Sequence, residues 1–282
     1  MSRIAYVNGR YLPLDAPAVR VEDRGFQFAD GVYEVWAVRG GRLKDERGHM
    51  QRLYRSLKKL DIPEPMGEGA LLTVLRETMR RNRVTDGLVY LQVTRGAARR
   101  DHAFPDPRPR PTLVVTSRAV NAAAVDARAE AGVGVISYPD ERWKHCDIKS
   151  ISLLPNVLAK QAARAAGAYE AWLIDENGYV TEGASSTAWI LTADGALVTR
   201  PTDNLILHGI TRAAIFPLAE AEGWRIEERA FKLDEAFAAR EAFITSANSF
   251  VTPVVRIDGE PVGEGRPGAF SVALRRRYAQ TA

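Results

Sequence analysis

The chain has 282 residues and a mass of 31.1 kDa, enough for two domains and for a core that needs no disulfide or metal staple. Apolar residues make up 46% and charged residues 26%, a balance that excludes intrinsic disorder. Its 39 basic and 35 acidic residues leave a formal net charge of +4, but the densest basic stretch, Arg95 to Arg110, is broken by Asp101, Asp106 and prolines, so no nucleic-acid surface is expected.

The opening reads as a hairpin: apolar Ile4 to Val7, an Asn8-Gly9 turn, and a return through Tyr11-Leu12. A strand over 31–38 turns at Gly40-Gly41. Met50, Leu53, Leu57 and Leu60 then recur at helical spacing, predicting a helix over 48–60 that ends before Pro63. Leu71, Leu72, Leu75 and Met79 mark a second helix. The β-rich runs Leu88 to Thr94 and Thr112 to Thr116 flank a long loop, 95–111, rich in Arg, His, Phe and Pro; structureless loops of this length are usually functional. Residues 1–118 therefore form an α+β domain, and alanine-rich 119–130 reads as an interdomain linker. In 131–282, a strand at 133–137 and a helix over 156–166 precede short strands with turns at Asn177-Gly178, Asp194-Gly195 and Asp258-Gly259. Helices at 210–222 and 233–239 interrupt them, and Phe270 to Tyr278 closes the chain.

Several chemistries find no motif. His49, His102, His145 and His208 are too scattered for a metal site, and Cys146 is the lone cysteine. No Walker A sequence, dinucleotide-binding glycine fingerprint or Gly-x-Ser-x-Gly elbow occurs. No run approaches the ~18 apolar residues of a membrane span, and Met1-Ser2-Arg3-Ile4 lacks the apolar core of a signal peptide. A cytoplasmic protein with no membrane partner is expected.

Four short stretches remain. Lys149 lies in a mostly apolar run after Cys146-Asp147-Ile148; it reads either as a surface lysine at a strand end or as a desolvated amine free to form a Schiff base. Val180-Thr181-Glu182-Gly183-Ala184-Ser185-Ser186-Thr187 reads either as a solvated connection or as a phosphate-holding turn, with Glu182 placed to pair with a protonated ring nitrogen. Leu207-His208-Gly209-Ile210-Thr211-Arg212 is a helix start, hence an ordinary N-terminus or an anion site. Thr245-Ser246-Ala247-Asn248-Ser249 is another small polar turn after a strand.

These stretches occur in order behind Asp23-Arg24-Gly25-Phe26-Gln27-Phe28-Ala29-Asp30-Gly31-Val32-Tyr33-Glu34. Together, over essentially the full length, they resemble the pyridoxal-phosphate aminotransferases of fold type IV. Gln92-Val93-Thr94-Arg95-Gly96 with Arg100-Asp101-His102 is similar to the D-amino-acid aminotransferases within that family. The resemblance implies a two-domain α+β fold with pyridoxal 5'-phosphate bound between the domains, and a homodimer. It implies that Lys149 forms the Schiff base and that Glu182 contacts the pyridine nitrogen. Arg52, Ser185, Ser186, Gly209, Ile210, Thr211, Ser246 and Ala247 would bind the cofactor, with Leu207 packed against its ring; Ala184 and Ala247 stand where a close relative has hydroxyl residues. Tyr33 would line the substrate site, and Arg100 and His102 would clamp the substrate α-carboxylate, reaching in from the partner subunit. The implied reaction is amino-group transfer from a D-amino acid such as D-alanine or D-glutamate to pyruvate or 2-oxoglutarate by ping-pong turnover. A branched-chain L-amino-acid aminotransferase and an aminodeoxychorismate lyase share the cofactor and stand as alternatives; a non-enzymatic basic binding module is the distant one.

Overall fold

In the computed structural model, which describes residues 3–16 and 18–280, the chain divides into two compact units. Met1, Ser2, Pro17, Thr281 and Ala282 lie outside the described residues, and with them the outer ends of the spans 1–118 and 131–282 and part of the start read for a signal peptide. The first unit comprises Met1–Ala122 and Ile148–Ser152; the second comprises Ala123–Asp147 and Leu153–Ala282.

The first unit holds β1 (Ile4–Val7), β2 (Arg10–Pro13), α1 (Arg24–Phe28), β3 (Gly31–Arg39), β4 (Arg42–Leu43), α2 (Glu46–Lys59), α3 (Glu68–Arg81), β5 (Gly87–Thr94) and β6 (Thr112–Ala119). The strands form a six-stranded sheet in the order β2-β1-β6-β5-β3-β4. Met50, Leu53 and Leu57 of α2 and Leu71 and Leu75 of α3 are fully buried with Trp36, Val89 and Leu91 of the sheet. Each such side chain contributes roughly 1.5–3 kcal/mol of burial, so the helical spacing seen in the sequence is the imprint of this packing. Two-residue β4 pairs only with Val38 and Arg39, leaving the other end of β3 open on that side. The segment Ile148–Ser152 takes that place: Val32 bridges Ser150, the Tyr33 amide donates to the Lys149 carbonyl at 2.9 Å, and the Ile151 amide donates to Gly31 at 3.1 Å.

The second unit holds all but the first residue of α4 (Ala122–Ala131), together with β7 (Val133–Pro139), α5 (Leu154–Ala165), β8 (Glu170–Ile174), β9 (Val180–Gly183), β10 (Thr187–Leu191), β11 (Leu197–Thr199), α6 (Ile210–Ala221), β12 (Ile226–Glu228), α7 (Leu233–Phe237), β13 (Glu241–Ser246), β14 (Phe250–Ile257), β15 (Glu260–Pro261) and α8 (Ala269–Gln280). Its strands run β12-β11-β10-β13-β14-β7-β8-β9, with β15 on β14. The parallel pairs β7–β8 and β11–β12 need crossovers, which α5 and α6 supply.

Two expectations about organisation meet a different arrangement. Residues 119–130, read as a linker, carry most of α4: alanine is the best helix former, and Val125 and Ala129, four apart, bury one face without any large side chain. The stretch 148–152, placed by sequence in the 131–282 domain, packs with the first unit because Ile148 enters that core and the following residues extend β3.

Candidate active site

In the first unit, Lys149 is half-buried, with its Nζ 4.2 Å from the centre of the Tyr33 ring. Its backbone is fixed on both sides, since its amide donates to Ser56 Oγ at 3.2 Å and its carbonyl accepts from Tyr33. Tyr33 stacks on Tyr90 at 5.7 Å. His49, Arg52 and Ser56 recur on α2 at helical spacing, and Arg52 forks onto buried Glu34: Nε donates to Oε1 at 2.7 Å and Nη2 to Oε2 at 2.9 Å. His49 Nδ1 lies 2.8 Å from Glu34 Oε2. Burial pushes the Glu34 carboxyl up, yet the Arg52 guanidinium outweighs it and holds the group well below the usual carboxylate range. Burial lowers His49, with Lys149 and Arg52 adding to the effect against Glu34. An ionised carboxylate only accepts, so neutral His49 carries its hydrogen on Nδ1.

Arg100 and His102 come together against one aromatic ring. The Arg100 guanidinium lies 4.9 Å from the centre of Phe28 and the His102 ring 5.4 Å from it. Both side chains are exposed, as is neighbouring Arg99.

In the second unit, Glu182 lies near the end of β9 and is buried together with Arg142 and Asp140. Arg142 Nη1 donates to Glu182 Oε1, Nη2 to Asp140 Oδ2 at 2.8 Å, and Nη2 again to the Leu205 carbonyl at 3.1 Å. The Leu207 amide donates to Glu182 Oε1 at 3.0 Å, and Thr181 Oγ1 donates to Asp140 Oδ2 at 2.6 Å. Burial raises the Glu182 carboxyl above its ordinary value, with Arg142 and the Leu207 amide opposing. Asp140 is held low, because the hydrogen bonds of Arg142 outweigh its burial. Burial also pushes the nearby Cys146 thiol up to about 12, so it is protonated at neutral pH.

Three segments of the second unit meet around Thr187, the first residue of β10. Thr187 pairs with Thr245 of β13, so the turn before β10, carrying Ser185 and Ser186, adjoins the turn after β13, carrying Ser246 and Ala247. Gly209 approaches so closely that a Cβ on it would lie 2.8 Å from Thr187 Oγ1. Gly209 is the N-cap of α6 with no side-chain cap; the first amides of a helix have no intrahelical acceptor and carry positive potential. Ile210 and buried Thr211 open that helix. Gly183 is equally confined, with a Cβ placed 2.2 Å from Ser186 Oγ. An uncapped helix start beside two hydroxyl-bearing turns, in a space where a side chain on Gly209 would not fit, suits a phosphomonoester. The hydroxyls have protein partners as well: Ser185 and Ser186 donate to Glu170 Oε2 at 2.6 and 3.1 Å, and Ser246 Oγ is 2.9 Å from Ser249 Oγ.

Residues 31–257 match the family model described as Amino-transferase class IV. The chain belongs to the class IV aminotransferases. It is 42% identical over 264 residues to the D-alanine aminotransferase of Bacillus licheniformis, covering 94% of this chain and 92% of that one. It is 37% identical over 274 residues to the D-alanine aminotransferase of Staphylococcus haemolyticus, covering 97% and 95%. The T.th. branched-chain amino acid aminotransferase with pyridoxamine 5'-phosphate superposes with a TM-score of 0.90 at 25% identity, covering 99% of this chain and 94% of that one. The branched-chain enzyme of Escherichia coli also gives 0.90, at 24% identity with the same coverage, and shows the shared fold.

Sequence reasoning missed four polar side chains of this class IV aminotransferase. Arg142, Asp140 and Glu170 lie in no motif, and Glu34, at the end of the first one, carries no expected role. A signal for two of the four exists. Glu34 interrupts the apolar strand 31–39, and a carboxylate buried in a strand needs a cation, which α2 offers at Arg52. Arg142 could have been sought as the partner of Glu182 by the same rule.

Proposed function

We propose that this chain transfers an amino group from a D-amino acid to a 2-oxo acid with pyridoxal 5'-phosphate, in two half-reactions of ping-pong form. The observation that carries the reading is the placement of Arg100 and His102 side by side on Phe28, a ready pair of donors for a carboxylate, in a chain that is 42% identical to a D-alanine aminotransferase.

The residues that would serve the cofactor are Lys149, Tyr33 and Arg52, Glu182 and Leu207, and the cradle of Ser185, Ser186, Gly209, Ile210, Thr211, Ser246 and Ala247. When bound, the cofactor supplies an electron sink conjugated to the substrate nitrogen. The Lys149 amine would hold the cofactor covalently until substrate replaces it, then take the proton from the substrate Cα and return it to C4′ of the cofactor as general base and acid. Glu182 would keep a proton at the ring nitrogen. The trio Asp140, Arg142 and Glu182 suits this, because one guanidinium between two carboxylates leaves room for one more positive charge. The amides of Ile210 and Thr211 would anchor the phosphate and so fix which face of the ring Lys149 serves. Arg100 and His102 would hold the substrate carboxylate, arginine through its planar fork.

A homodimer follows from the same reading and is supported by Leu154, Val157 and Leu158 of α5, which lie at helical spacing with 70%, 56% and 49% of their surface exposed; apolar patches of this kind mark interaction sites. The single cysteine, Cys146, can form no intrachain disulfide, which supports a cytoplasmic setting. Among the described residues no helix is long and apolar enough to cross a membrane.

The branched-chain reading has the structural likeness on its side. Mixing the loaded enzyme separately with D-alanine, L-alanine and L-leucine, and following conversion of the pyridoxal to the pyridoxamine form by absorbance, separates the two. Conversion by D-alanine alone is expected. Faster conversion by L-leucine overturns the D reading.

A further inference from the structure

The loop 95–111 carries Arg100 and His102; its start is pinned by a bridge between Asp23 and Ala97, with the Arg24 amide on the Gly96 carbonyl at 2.9 Å and the Ala98 amide on the Glu22 carbonyl at 3.3 Å, whereas Asp101, His102, Ala103 and Phe104 beyond it are all exposed. One buried guanidinium grips it by the backbone. Arg24, the first residue of α1, has only 4% of its side chain exposed. Its Nη1 donates to the Asp101 carbonyl at 2.6 Å and the Ala103 carbonyl at 3.3 Å, and its Nη2 donates to the His102 carbonyl at 3.3 Å. Three consecutive carbonyls of the loop therefore face one planar fork. Its Nε donates to Asp30 Oδ2 at 2.8 Å, and the same carboxylate accepts Nε and Nη2 of buried Arg95 at 2.7 and 3.0 Å. Arg95 in turn lies under the Phe104 ring at 3.6 Å. The Arg24 guanidinium also stands 4.8 Å from the centre of Phe28, the ring on which Arg100 and His102 rest.

We propose that Arg24 is a positioning residue for substrate carboxylate recognition: by binding the carbonyls of residues 101–103 and backing Phe28, it sets where Arg100 and His102 emerge from the loop. This rests on the reading of Arg100 and His102 as the carboxylate clamp. The planar fork is what the task requires, since divergent donors in a fixed plane can address Asp30, three loop carbonyls and an aromatic face at once. A lysine at this position offers a point charge without that geometry. A neutral, shorter side chain in place of buried Arg24 loses these charge-assisted hydrogen bonds to the loop carbonyls. Arg24 touches no reacting atom in this scheme; its effect passes through the clamp alone.

Residues that act through one another show non-additive effects, whereas independent ones add. Four versions of the loaded enzyme test this: the parent, Arg24→Gln, Arg100→Ala with His102→Ala, and the combination of all three. Each is assayed for KM and kcat with D-alanine, with cofactor absorbance and thermal melting recorded. Arg24→Gln is expected to raise KM about tenfold while kcat stays within about threefold and the cofactor spectrum is unchanged. Added to the clamp-deficient enzyme, it should change KM less than about twofold. Arg24→Lys, which keeps the charge and guards against misfolding, should give an intermediate KM. Two results would overturn the proposal: an unchanged KM in Arg24→Gln where the clamp variant raises it, or an equal multiplicative effect in both backgrounds. An unchanged KM in the clamp variant itself refutes the clamp, and Arg24's role with it.

Discussion

Arg142 and Glu182, forty residues apart in sequence, form a buried ion pair in which the guanidinium also binds Asp140. Both side chains of the pair are more than nine-tenths buried. Arg142 is the main group that opposes the burial of Glu182, with the Leu207 amide adding to it, and a bound pyridinium would be the second cation that this pair of carboxylates can accommodate.

Removing Arg142 tests the first half of that statement. Arg142→Met leaves Asp140 and Glu182 buried without their cation, and breaking a buried pair in this way costs about 3–5 kcal/mol. Chemical denaturation should show a loss of this size, and adding Glu182→Gln should restore part of it. A loss below about 1 kcal/mol, the scale of an exposed pair, would mean that Arg142 is not the group that compensates Glu182.

Glu182→Gln alone should keep the cofactor and lose turnover. A glutamine fills the same space but cannot hold the ring nitrogen protonated, and a hydrogen bond to a charged group is worth ~1.5–3 kcal/mol. The D-alanine half-reaction should slow about ten- to a hundredfold with cofactor absorbance retained. Turnover within about twofold of the parent would count against the role.

The lysine assignment has a direct chemical readout. Borohydride reduction of the loaded enzyme, followed by peptide mapping, should find the pyridoxyl group on Lys149. Lys149 is half-buried against Tyr33, whereas Lys160 donates to the Tyr169 carbonyl at 2.7 Å and pairs with Glu170, and Lys144 is exposed. A label on Lys144 or Lys160 would sink the assignment. Lys149→Ala should lower turnover by at least ~10²–10⁴-fold, the usual contribution of general acid–base catalysis.

Elements with an apolar period were legible in the sequence, and so were the turns. The helix expected over 48–60 is α2, and the strand expected over 31–38 is β3, because Met50, Leu53 and Leu57 bury on one face and the strand is largely apolar around Glu34. What could not be read was set by partners distant in the chain. Nothing local to Lys149 says that Ile148–Ser152 leaves its neighbours to extend β3, since that choice depends on β4 being two residues long. The α4 helix escaped because alanines can form a helix without a large apolar stripe. Arg142 escaped because its acids, Asp140 and Glu182, come from two places in the chain, one just after β7 and one in β9.

Acid should destabilise the first unit through His49. Its folded-state value lies below the ordinary 6.5, chiefly because of burial, so the unfolded chain binds a proton as the pH falls through 6.5 while the folded chain does not. Stability is thus fully present above pH 6.5 and is lost below it, by at most ~1.4 kcal/mol per pH unit, until the folded value is reached. Glu34, also held low, adds a second loss that begins only as the pH falls below its ordinary 4.5. His49→Gln keeps a donor for Glu34 but cannot titrate. Melting the parent and this variant at pH 7.5 and pH 5.5 should show a smaller acid loss in the variant. Equal losses would mean that His49 takes up its proton in the folded state as readily as in the unfolded chain.

Handedness gives the last test. If, as proposed, the cofactor fixes the substrate nitrogen and the Cα hydrogen is directed at Lys149, only the carboxylate and the side chain remain to be placed. Exchanging those two inverts the accepted enantiomer, so the end of the site that holds the carboxylate decides between D and L. Arg100 and His102 stand together on Phe28, and the guanidinium fork of Arg100 can bind a carboxylate through two hydrogen bonds. Arg100→Ala should therefore weaken use of D-alanine by ~1.5–3 kcal/mol, or about ten- to a hundredfold in kcat/KM. The loss should appear with D-glutamate as well, because the α-carboxylate is common to both, whereas a contact to the side chain would affect only one. If Arg100→Ala leaves both rates intact while L-leucine is the better donor, the carboxylate is held at the other end and the branched-chain reading replaces this one.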